Sequence, residues 1–380
     1  LVATALWLPC VQLLFRRPAS DFHRAQEVSP RARELATRHL RMWQQPELRE
    51  RELGRMRKHN PEWDFMGRSF FVWSLANMGL REPAAVSQYL PVMDQIIEET
   101  LELERRGGCF CFLMAYGRAS PFRVSPVRSL FVDGEIALML GARRVLAEKP
   151  EYRAAMHERL EMIAGRWRSS PVLAMESYPD ECWTFDHAVA LAALCVADSL
   201  DGTDHSALRR EWLRVAQERL IDRGTGLLVS SYTLDGQPMD GPEGSTIWAV
   251  AHFLDTVDPE FARDQYVRAR REMGRTLLGF GYAREWPASW ESPNDVDSGA
   301  VIPVLEVSAG ASGMAFLGAT TFGDEEFARA LATTLDFAAF PSRKDGGLRY
   351  CGSNAVGDAA ILYAAVLGPL WEKVRPGGAL

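Results

Sequence analysis

The sequence predicts an all-α protein, a toroid of about six helical hairpins, and three observations support this fold class. Apolar residues recur at three- and four-residue spacing in twelve segments. Connectors rich in glycine and proline, such as residues 222–226, 234–244 and 286–294, separate some of these segments. Strand-like alternation is confined to short pieces, residues 227–233 and 348–350. Helices that follow one another in pairs, with long loops between some pairs, favour an α/α toroid with minor β pieces in its loops.

The predicted helices follow one another from residue 30 onward, each identified by its apolar spacing. They span residues 30–44, 64–79, 84–105, 129–147, 152–169, 184–200, 206–220, 245–254, 259–276, 298–320, 324–340 and 355–370. No low-complexity linker or short-period repeat divides this series. We therefore predict one barrel domain over residues 46–380, preceded by an N-terminal segment of residues 1–45.

The N-terminal segment is apolar over residues 1–15 and turns basic immediately afterwards, beginning with Arg16 and Arg17. Its apolar part is shorter than the roughly 20 residues that span a bilayer. Two interpretations stay open: the end of a membrane-anchoring helix, or an amphipathic helix docked on its own domain. In the first case the basic flank places the following domain on the cytoplasmic face of the membrane.

Composition narrows the class of partner. The chain is 47% apolar and carries a formal net charge of −7, which argues against a nucleic-acid surface and favours a small-molecule substrate. The six cysteines show no CxxC pattern, so we expect mostly free thiols and a reducing, cytoplasmic location. The seven histidines show no HxxxH or HxH spacing, so no metal site is predicted.

One ten-residue stretch places three carboxylates among aromatic residues, directly before the alanine-rich helix predicted from residue 184. It consists of Tyr178, Pro179, Asp180, Glu181, Cys182, Trp183, Thr184, Phe185, Asp186 and His187. A carboxyl group desolvated by aromatic rings has a raised pKa when it is unpaired, which suits general acid or base catalysis. Asp186 and Asp180 are the candidate catalytic residues here, although either residue can also serve as a helix-terminal charge.

Carboxylates elsewhere are candidates for the same site. Glu135 lies near the start of a predicted helix that continues into a strongly apolar run, and its other interpretation is a capping residue. Asp295 and Asp297 form an acidic pair before another apolar helix. By two positions this pair resembles the DxDD acid of class II terpene cyclases, with Ser298 in place of the third aspartate. Capping of the following helix is the alternative.

The predicted substrate-binding residues are mostly aromatic side chains that could line a cavity and stabilise a cation through their π faces. Aromatic residues on helices are more often plain core, and this alternative stays open for each ring. The set comprises Tyr178, Trp183, Ser177, Glu243, Trp248, Trp290, Trp63 and His187.

The stretch from Tyr178 resembles the bacterial linalool dehydratase/isomerase family. Further motifs of that kind, in the same order along the chain, are His59-Asn60-Pro61, Asp133-Gly134-Glu135, Val257 to Phe261, Asn294 to Gly299, and Leu348-Arg349-Tyr350 leading to Asp358. The resemblance implies an (α/α)6 barrel, usually oligomeric, with a deep apolar pocket and no metal or organic cofactor. It also implies an activity on allylic terpene alcohols, by protonation, loss of water and allylic rearrangement.

The sequence departs from this family at the pocket itself. The family carries two cysteines and a histidine there, and the matching positions here are Ser177, Asp186 and Glu135. Thiol chemistry is therefore not implied. Carboxyl groups can fill the same roles, because protonating a hydroxyl and removing a carbon-bound proton require one acid and one base.

Two functions follow as predictions, with a non-catalytic barrel as the third alternative. The first is a cofactor-independent lyase, isomerase or cyclase that acts on an isoprenoid alcohol or alkene, with Asp186, Glu135 and Asp297 carrying the protons. The second is a carbohydrate-active barrel that uses paired carboxylates and a tryptophan platform. A closed apolar cavity would favour the first, and an open cleft with exposed tryptophans the second.

Overall fold

A computed structural model of the protein describes residues 2–289, 299 and 301–375. Its helices are α1 (Val2–Val11), α2 (Ala19–Phe22), α3 (Pro30–Gln44), α4 (Pro46–Arg49), α5 (Arg55–His59), α6 (Pro61–Arg81), α7 (Val86–Gly107), α8 (Leu130–Leu146), α9 (Pro150–Ser169), α10 (Thr184–Asp201), α11 (Ser206–Arg219), α12 (Gly244–Leu254), α13 (Pro259–Glu272), α14 (Ala309–Thr321), α15 (Glu325–Ala338), α16 (Ala355–Val366) and α17 (Pro369–Val374). Short 3₁₀ turns lie at Gln12–Leu14, Pro83–Ala85, Cys109–Cys111 and Ala115–Arg118, and a π turn at Glu50–Gly54.

Short strands occupy the connections. They are β1 (Cys182–Trp183), β2 (Ser231–Tyr232), β3 (Pro238–Asp240), β4 (Gly274–Leu277), β5 (Phe280–Ala283), β6 (Val301–Ile302), β7 (Val307–Ser308), β8 (Pro341–Lys344) and β9 (Gly347–Tyr350). They form an antiparallel sheet in the order β1-β2-β3, a second in the order β4-β5-β7-β6, and the hairpin β8-β9.

Helices α6, α8, α10, α12, α14 and α16 form a closed inner ring, because each packs against the next and α16 packs back against α6. A helix in this ring has neighbours on several sides, so its sequence must be apolar around most of its circumference. In α8, for example, every residue from Leu130 to Val145 is buried, including the charged ones.

A second set of helices surrounds this ring. Helices α7, α9, α13 and α15 each pack against an inner helix that they adjoin in the chain, and α3 packs against α16. Helix α11 joins them through the buried ring of Trp212, whose centroid is 5.9 Å from that of His187 on α10. Six inner and six outer helices therefore alternate along the described chain, which confirms the predicted (α/α)6 barrel.

Because each outer helix returns the chain, the six inner helices run in the same direction. At their C-terminal ends, His252 of α12 hydrogen-bonds Thr321 Oγ1 of α14 at 2.7 Å and the Tyr363 hydroxyl of α16 at 2.9 Å. At their N-terminal ends, Gly244 opens α12 directly against Ala311 in the first turn of α14. We call the end where the inner helices begin the mouth end, and the opposite one the closed end.

Aromatic side chains pack together at the closed end. The ring of Trp73 lies 5.4 Å from Phe70, 5.6 Å from Tyr363 and 5.5 Å from Phe253, measured between centroids. Helix α17 adds Trp371, 5.9 Å from Phe253, and the Trp371 indole donates to the Tyr363 hydroxyl at 2.9 Å. Edge-to-face contacts of this kind add stability beyond the apolar area that they bury.

Side-chain caps and prolines determine where several helices begin. Asn60 accepts from the Trp63 amide at 2.9 Å, and Pro61 occupies the first turn of α6. Ser308 caps α14 through the Ala311 amide at 3.0 Å. A cap satisfies an amide that the first helical turn leaves without a carbonyl partner. The Asn60-Pro61 pair explains why α6 begins three residues before the predicted start.

Three predicted helices differ from the observed elements. The helix predicted to reach residue 276 ends at Glu272, and β4 follows. The one predicted from residue 298 begins only at Ala309, and β6 and β7 precede it. Val301, Ile302 and Pro303 favour extended backbone, which the apolar spacing alone did not reveal. The last predicted helix breaks at Gly368, whose φ of 133° interrupts helical geometry between α16 and α17.

The N-terminal segment folds as α1 and a 3₁₀ turn, with exposed Leu6, Trp7 and Leu8. Among the described residues, no helix combines the length and the apolar composition that crossing a bilayer requires. The division predicted at residue 45 stays a prediction. Helix α3, which lies before it, belongs to the outer layer and buries Leu35 and Trp43.

Candidate active site

Glu135 lies inside the barrel wall in the second turn of α8, and its carboxyl group is almost completely buried. Its Oε2 accepts from the Ser69 hydroxyl of α6 at 2.5 Å, whereas its Oε1 has no hydrogen-bond partner among the described residues. Burial raises the pKa of Glu135 well above its ordinary value. The Ser69 hydrogen bond opposes this shift, and the nearby charges of Asp186 and Glu62 add to it. The side chain is thus set up to hold a proton at neutral pH.

Asp186 lies in the first turn of α10, the next helix of the inner ring, and is also buried. The Ser177 hydroxyl donates to its Oδ2. Burial raises the pKa of Asp186 from an ordinary value of 3.8 to about 8. The Ser177 hydrogen bond opposes this shift, and the like charges of Glu62 and Glu181 reinforce it.

Gly134 brings the two helices that carry these acids close together. A Cβ atom at this position would lie 3.4 Å from the Asp186 carbonyl oxygen and 3.4 Å from the Ala190 Cβ. Such spacing is tighter than most side-chain contacts, so a larger residue would push α8 away from α10. The Asp133-Gly134-Glu135 motif therefore has a structural reason for its glycine.

Serines, not arginines, hold the two acids. Within the described residues neither Glu135 nor Asp186 makes an ion pair. The buried Asp64 provides a contrast, since Arg57 and Arg68 both pair with it. A buried carboxyl without a cation retains its proton more readily, because ionisation would leave an uncompensated charge in a poorly polarisable interior.

A tight loop before α10 holds Ser177 in place. The Ser177 amide donates to the Glu181 carbonyl at 2.8 Å, and the Glu181 amide donates to the Tyr178 carbonyl at 2.9 Å. The Ser129 hydroxyl donates to the Ser177 carbonyl at 2.7 Å, which ties the loop to the start of α8. The buried Glu176 carboxylate accepts three amides, those of Arg123, Val124 and Asp180, at 2.8–3.0 Å.

Tyr178 connects this loop to α6. Its hydroxyl donates to the Glu62 carboxylate and accepts from the Met114 amide at 2.7 Å. Glu62 contributes like charge to both central acids. Sequence reasoning missed Glu62 and Ser69, although Glu62 directly follows the His59-Asn60-Pro61 motif that signals the start of α6.

Two predicted aromatic residues lie at the mouth end, half-buried. Trp183 precedes α10, and its indole donates to the Glu181 carboxylate. Trp63 is in the first turn of α6, next to Glu62. The structure thus brings the first turns of α6 and α10 together with the loop of Ser177 and Tyr178, around Glu135 and Asp186.

Trp248 and His187 lie in the layer between the inner and outer helices, and their substrate-binding role stays a prediction. The Trp248 ring is 5.8 Å from Tyr266 of α13 and 6.1 Å from Phe327 of α15. The His187 ring stacks between Trp167 of α9 and Trp212 of α11, at 5.5 and 5.9 Å.

Hydrogen bonds explain the structural role of His187. Its Nδ1 pairs with the Trp183 carbonyl at 2.8 Å, and its Nε2 accepts from the Met175 amide at 3.3 Å. Burial lowers the pKa of His187 to about 4, so the ring is neutral at physiological pH. His187 therefore fixes the loop before α10 from its outer side.

Asp180 lies apart from the central pair, and Glu243 lies at the start of the next inner helix, α12. Asp180 is 44% exposed and pairs with Arg123 at 2.9 Å, while its carboxylate also accepts from the Leu234 amide at 3.2 Å. This surface position separates it from Glu135 and Asp186. Glu243 is buried immediately before α12, where its amide donates to the Ser230 hydroxyl at 2.9 Å. It is a mouth-end residue on the far side of α10.

The remaining predicted site residues, Asp295, Asp297 and Trp290, lie outside the described residues. In the described part of the chain, no group of three or more histidine, cysteine, aspartate or glutamate side chains is arranged to hold a metal ion. All six cysteines are free thiols.

Several solved structures are similar to this chain in overall path. An α-1,6-mannanase of glycoside hydrolase family 76 from Salegentibacter sp. HEL1_6 is 13% identical with a TM-score of 0.49, over 81% of this chain and 88% of that chain. A family 76 α-mannanase from Bacteroides thetaiotaomicron is 12% identical with a TM-score of 0.49, over 79% and 85%. A family 105 glycoside hydrolase from C. acetobutylicum is 12% identical with a TM-score of 0.45, over 80% and 93%. The chemistry of this chain is not inferred from them.

A protein-family comparison is more specific. The model of the linalool dehydratase/isomerase family matches residues 135–356, which begin at Glu135 and include Ser177, Asp186 and three of the six inner helices in full. The match covers more than half of the chain. This chain belongs to the linalool dehydratase/isomerase family.

Proposed function

We propose that this protein is a cofactor-independent acid–base enzyme that dehydrates, hydrates, isomerises or cyclises an isoprenoid alcohol or alkene. One observation carries the proposal: Glu135 and Asp186, on adjacent inner helices, are buried, hydrogen-bonded to serines and free of ion pairs within the described residues. Family membership supports a lyase or isomerase in general terms.

The two acids suit different halves of the reaction. In the described part of the chain one carboxyl oxygen of Glu135 has no partner, so that oxygen can carry a proton toward a substrate hydroxyl or alkene. Asp186 ionises near pH 8, and its negative charge further raises the pKa of Glu135. A coupled pair of this kind holds one proton between two sites. We assign Glu135 as the general acid and Asp186 as the general base.

The proton balance closes without a further reactant. Glu135 donates its proton to the hydroxyl, the carbon–oxygen bond breaks with both electrons going to oxygen, and water leaves an allylic cation. Asp186 then removes a proton from a neighbouring carbon, which forms the new double bond. Transfer of that proton back to Glu135 resets the pair. Return of water to the other end of the cation would give the isomeric alcohol instead.

An aromatic ring lies beside Asp186, which suits an apolar guest that develops positive charge. Phe185 precedes Asp186, and its ring lies 5.9 Å from that of Phe253, where the aromatic cluster of the closed end begins. Aromatic faces stabilise cations, and an apolar wall excludes the water that would quench them. Glu62 and Glu181 add further negative charge near the pair, which favours a neutral alcohol over an anionic substrate.

No specific observation favours the carbohydrate alternative. That alternative predicted exposed tryptophans in an open cleft, whereas Trp248 is completely buried between helices. The similar glycoside hydrolases have TM-scores below 0.5 and do not support it. It is tested below as a competing outcome.

The test is incubation of the protein with isoprenoid alcohols and alkenes of graded length in heavy water, with products identified by mass spectrometry. We expect loss, gain or migration of a hydroxyl, with deuterium incorporated at carbon. Mannan oligosaccharides provide the competing arm. Cleavage of an oligosaccharide with no conversion of any isoprenoid would overturn the proposal. So would full turnover on an isoprenoid by both the Glu135→Gln and Asp186→Asn variants.

A further inference from the structure

Three segments from different parts of the chain meet through aromatic rings at the mouth end. The Phe337 ring, at the end of α15, lies 5.2 Å from Phe15 and 5.1 Å from Phe280 of β5. Gln12 lies against Gly279 at the tip of the β4-β5 hairpin. This cluster joins the N-terminal segment, the hairpin and the start of the β8-β9 connection into one surface.

The surface exposes large apolar side chains. Phe340 is 67% exposed and Leu14 is 75% exposed, and both adjoin the aromatic cluster in sequence. The remaining exposed members are Leu13, Leu277, Leu278 and Phe337. We call these six residues the apolar rim. Contiguous exposed apolar surface of this kind marks an interaction site more often than chance.

Two exposed rim residues have a strained backbone conformation. Leu278 and Phe340 each have a φ of 51°, in the left-handed region that glycine or asparagine adopts more easily. An ordinary side chain there strains the backbone. Val304, 94% exposed in the β6-β7 connection of the same sheet, has a φ of 74°. Exposed, strained and apolar residues in three connections are unfavourable for an isolated protein in water.

Charge indicates what covers the rim. Arg16 and Arg17 directly follow Phe15, whose ring contacts Phe337 of the rim, and both arginines are exposed. This basic pair contrasts with the net charge of −7 of the whole chain. Apolar side chains flanked by basic residues match the interface of an anionic bilayer. Reversible binding there requires both apolar insertion and attraction between basic residues and anionic lipids.

We propose that the apolar rim docks the barrel, mouth end first, onto the surface of an anionic lipid bilayer. The β4-β5 hairpin joins outer helix α13 to the start of the next inner helix, α14, and Phe337 and Phe340 lie between α15 and α16. The rim is therefore at the same end as Glu135 and Asp186. Side chains at turn tips insert between lipids, whereas a second copy of the chain would need a broad matching face.

Vesicle sedimentation of the whole protein tests this proposal. We expect binding to vesicles of equal parts phosphatidylcholine and phosphatidylglycerol, and weaker binding to phosphatidylcholine alone. The double variant Leu278→Asn, Phe340→Asn removes two apolar tips, and asparagine accepts their φ values. We expect its partitioning to fall at least about tenfold, because two large apolar side chains no longer leave water for the bilayer. Its thermal midpoint should stay equal or rise, which excludes misfolding.

Two further variants sharpen the result. Val267→Asn removes an exposed apolar residue from the outer wall on α13, away from the rim, and should leave binding unchanged. Arg16→Glu with Arg17→Glu should abolish the preference for anionic vesicles. The proposal fails if the protein binds neither vesicle, or if the double variant binds as the parent does. It also fails if the rim variant only dissociates an oligomer seen by light scattering. No substrate is used, so these results do not depend on the proposed reaction.

Discussion

Asp133 and Glu135 lie two residues apart on α8 and are equally buried, yet the protein holds them in opposite ways. Asp133 points to the outer layer, where Arg128 donates to it at 2.9 Å and Arg159 at 2.6 Å. Glu135 points to the neighbouring inner helix, where Ser69 is its one described hydrogen-bond donor. Burial alone does not distinguish a structural acid from a reactive one.

The groups that contact each carboxyl distinguish the structural acid from the reactive one. Burial raises the pKa of Asp133, but Arg159 and Arg128 oppose that shift. For Glu135 the one opposing contact is a neutral hydroxyl, and nearby carboxylates act in the same direction as burial. A paired charge stabilises the fold as long as both partners remain, whereas an unpaired acid stores a proton that chemistry can use.

Removing the acid at Glu135 should have the largest effect on turnover. We expect Glu135→Gln to lower the rate by about 10²- to 10⁴-fold, the usual contribution of a general acid. Glutamine matches the protonated carboxyl in shape, so the free energy of unfolding should stay the same or rise slightly. Product formation and denaturant unfolding measure the two quantities. A fully active variant would remove Glu135 from the mechanism.

Asp133→Asn should show the reverse pattern. Two guanidiniums would lose a buried carboxylate partner, and breaking such a pair costs roughly 3 kcal/mol. We expect a lower unfolding midpoint, with turnover per folded molecule preserved. Glu102→Gln, which breaks surface pairs with Arg105 and Arg106, is the matched control and should leave the midpoint unchanged. If Asp133→Asn were stable but inactive, the contrast between the two acids would be wrong.

The raised pKa of Asp186 predicts that the stability of the protein depends on pH. Its pKa is about 8 in the folded protein against an ordinary 3.8, so the folded state binds more protons between these values. Stability contributed by this group is complete below about pH 4 and is lost as pH rises toward 8, by up to about 1.4 kcal/mol per pH unit. Denaturant unfolding of the parent and of Asp186→Asn should show this slope in their difference. A difference that is flat between pH 4 and 8 would contradict the shift.

The proposed role of Asp186 adds a prediction about rate. A general base must be ionised, so kcat/KM should rise as pH approaches 8 and then level off. The Ser177 and Ser69 variants described below test which acid controls this rise. A rate that falls through pH 8 would reverse the assignment and make Asp186 the acid.

Sequence reasoning located most of the helices and one side of this site. Apolar spacing revealed the helices because each must bury a face, and the aromatic, acidic stretch before α10 identified Asp186 and Tyr178. Ser177 followed from the family resemblance, and Glu135 from that resemblance and from its position near a predicted helix start. The sequence pattern could not distinguish the inner face of α8 from the outer one, because inner helices are apolar around most of their circumference.

The same limit explains why the sequence did not reveal where two predicted side chains point, or that two further residues belong to the site. Trp248 and His187 are on inner helices, but their side chains point to the outer layer. Ser69 and Glu62 reach the site from α6, which precedes the helix of Asp186 by two helical hairpins in the sequence. Closure of the ring brings them together, and no local pattern in the sequence encodes that closure.

Removing the Ser177 hydroxyl should have the smallest of these effects. This hydroxyl donates to Asp186 and is a group that lowers its pKa. Ser177→Ala should therefore raise the pKa of Asp186 by roughly one to two units, since a hydrogen bond to a charged group contributes roughly 1.5–3 kcal/mol. The rising limb of the kcat/KM profile should move to higher pH by the same amount.

Ser69→Ala is the matched control, because it removes an equivalent hydroxyl from Glu135 instead. It should raise the pKa of Glu135 and leave the limb assigned to Asp186 in place. If both variants moved the same limb equally, the two acids would titrate as one unit, and neither serine would act through its own carboxyl. A shift confined to Ser177→Ala would tie the limb to Asp186, because the contacts of Ser177 with the pair run through that carboxylate.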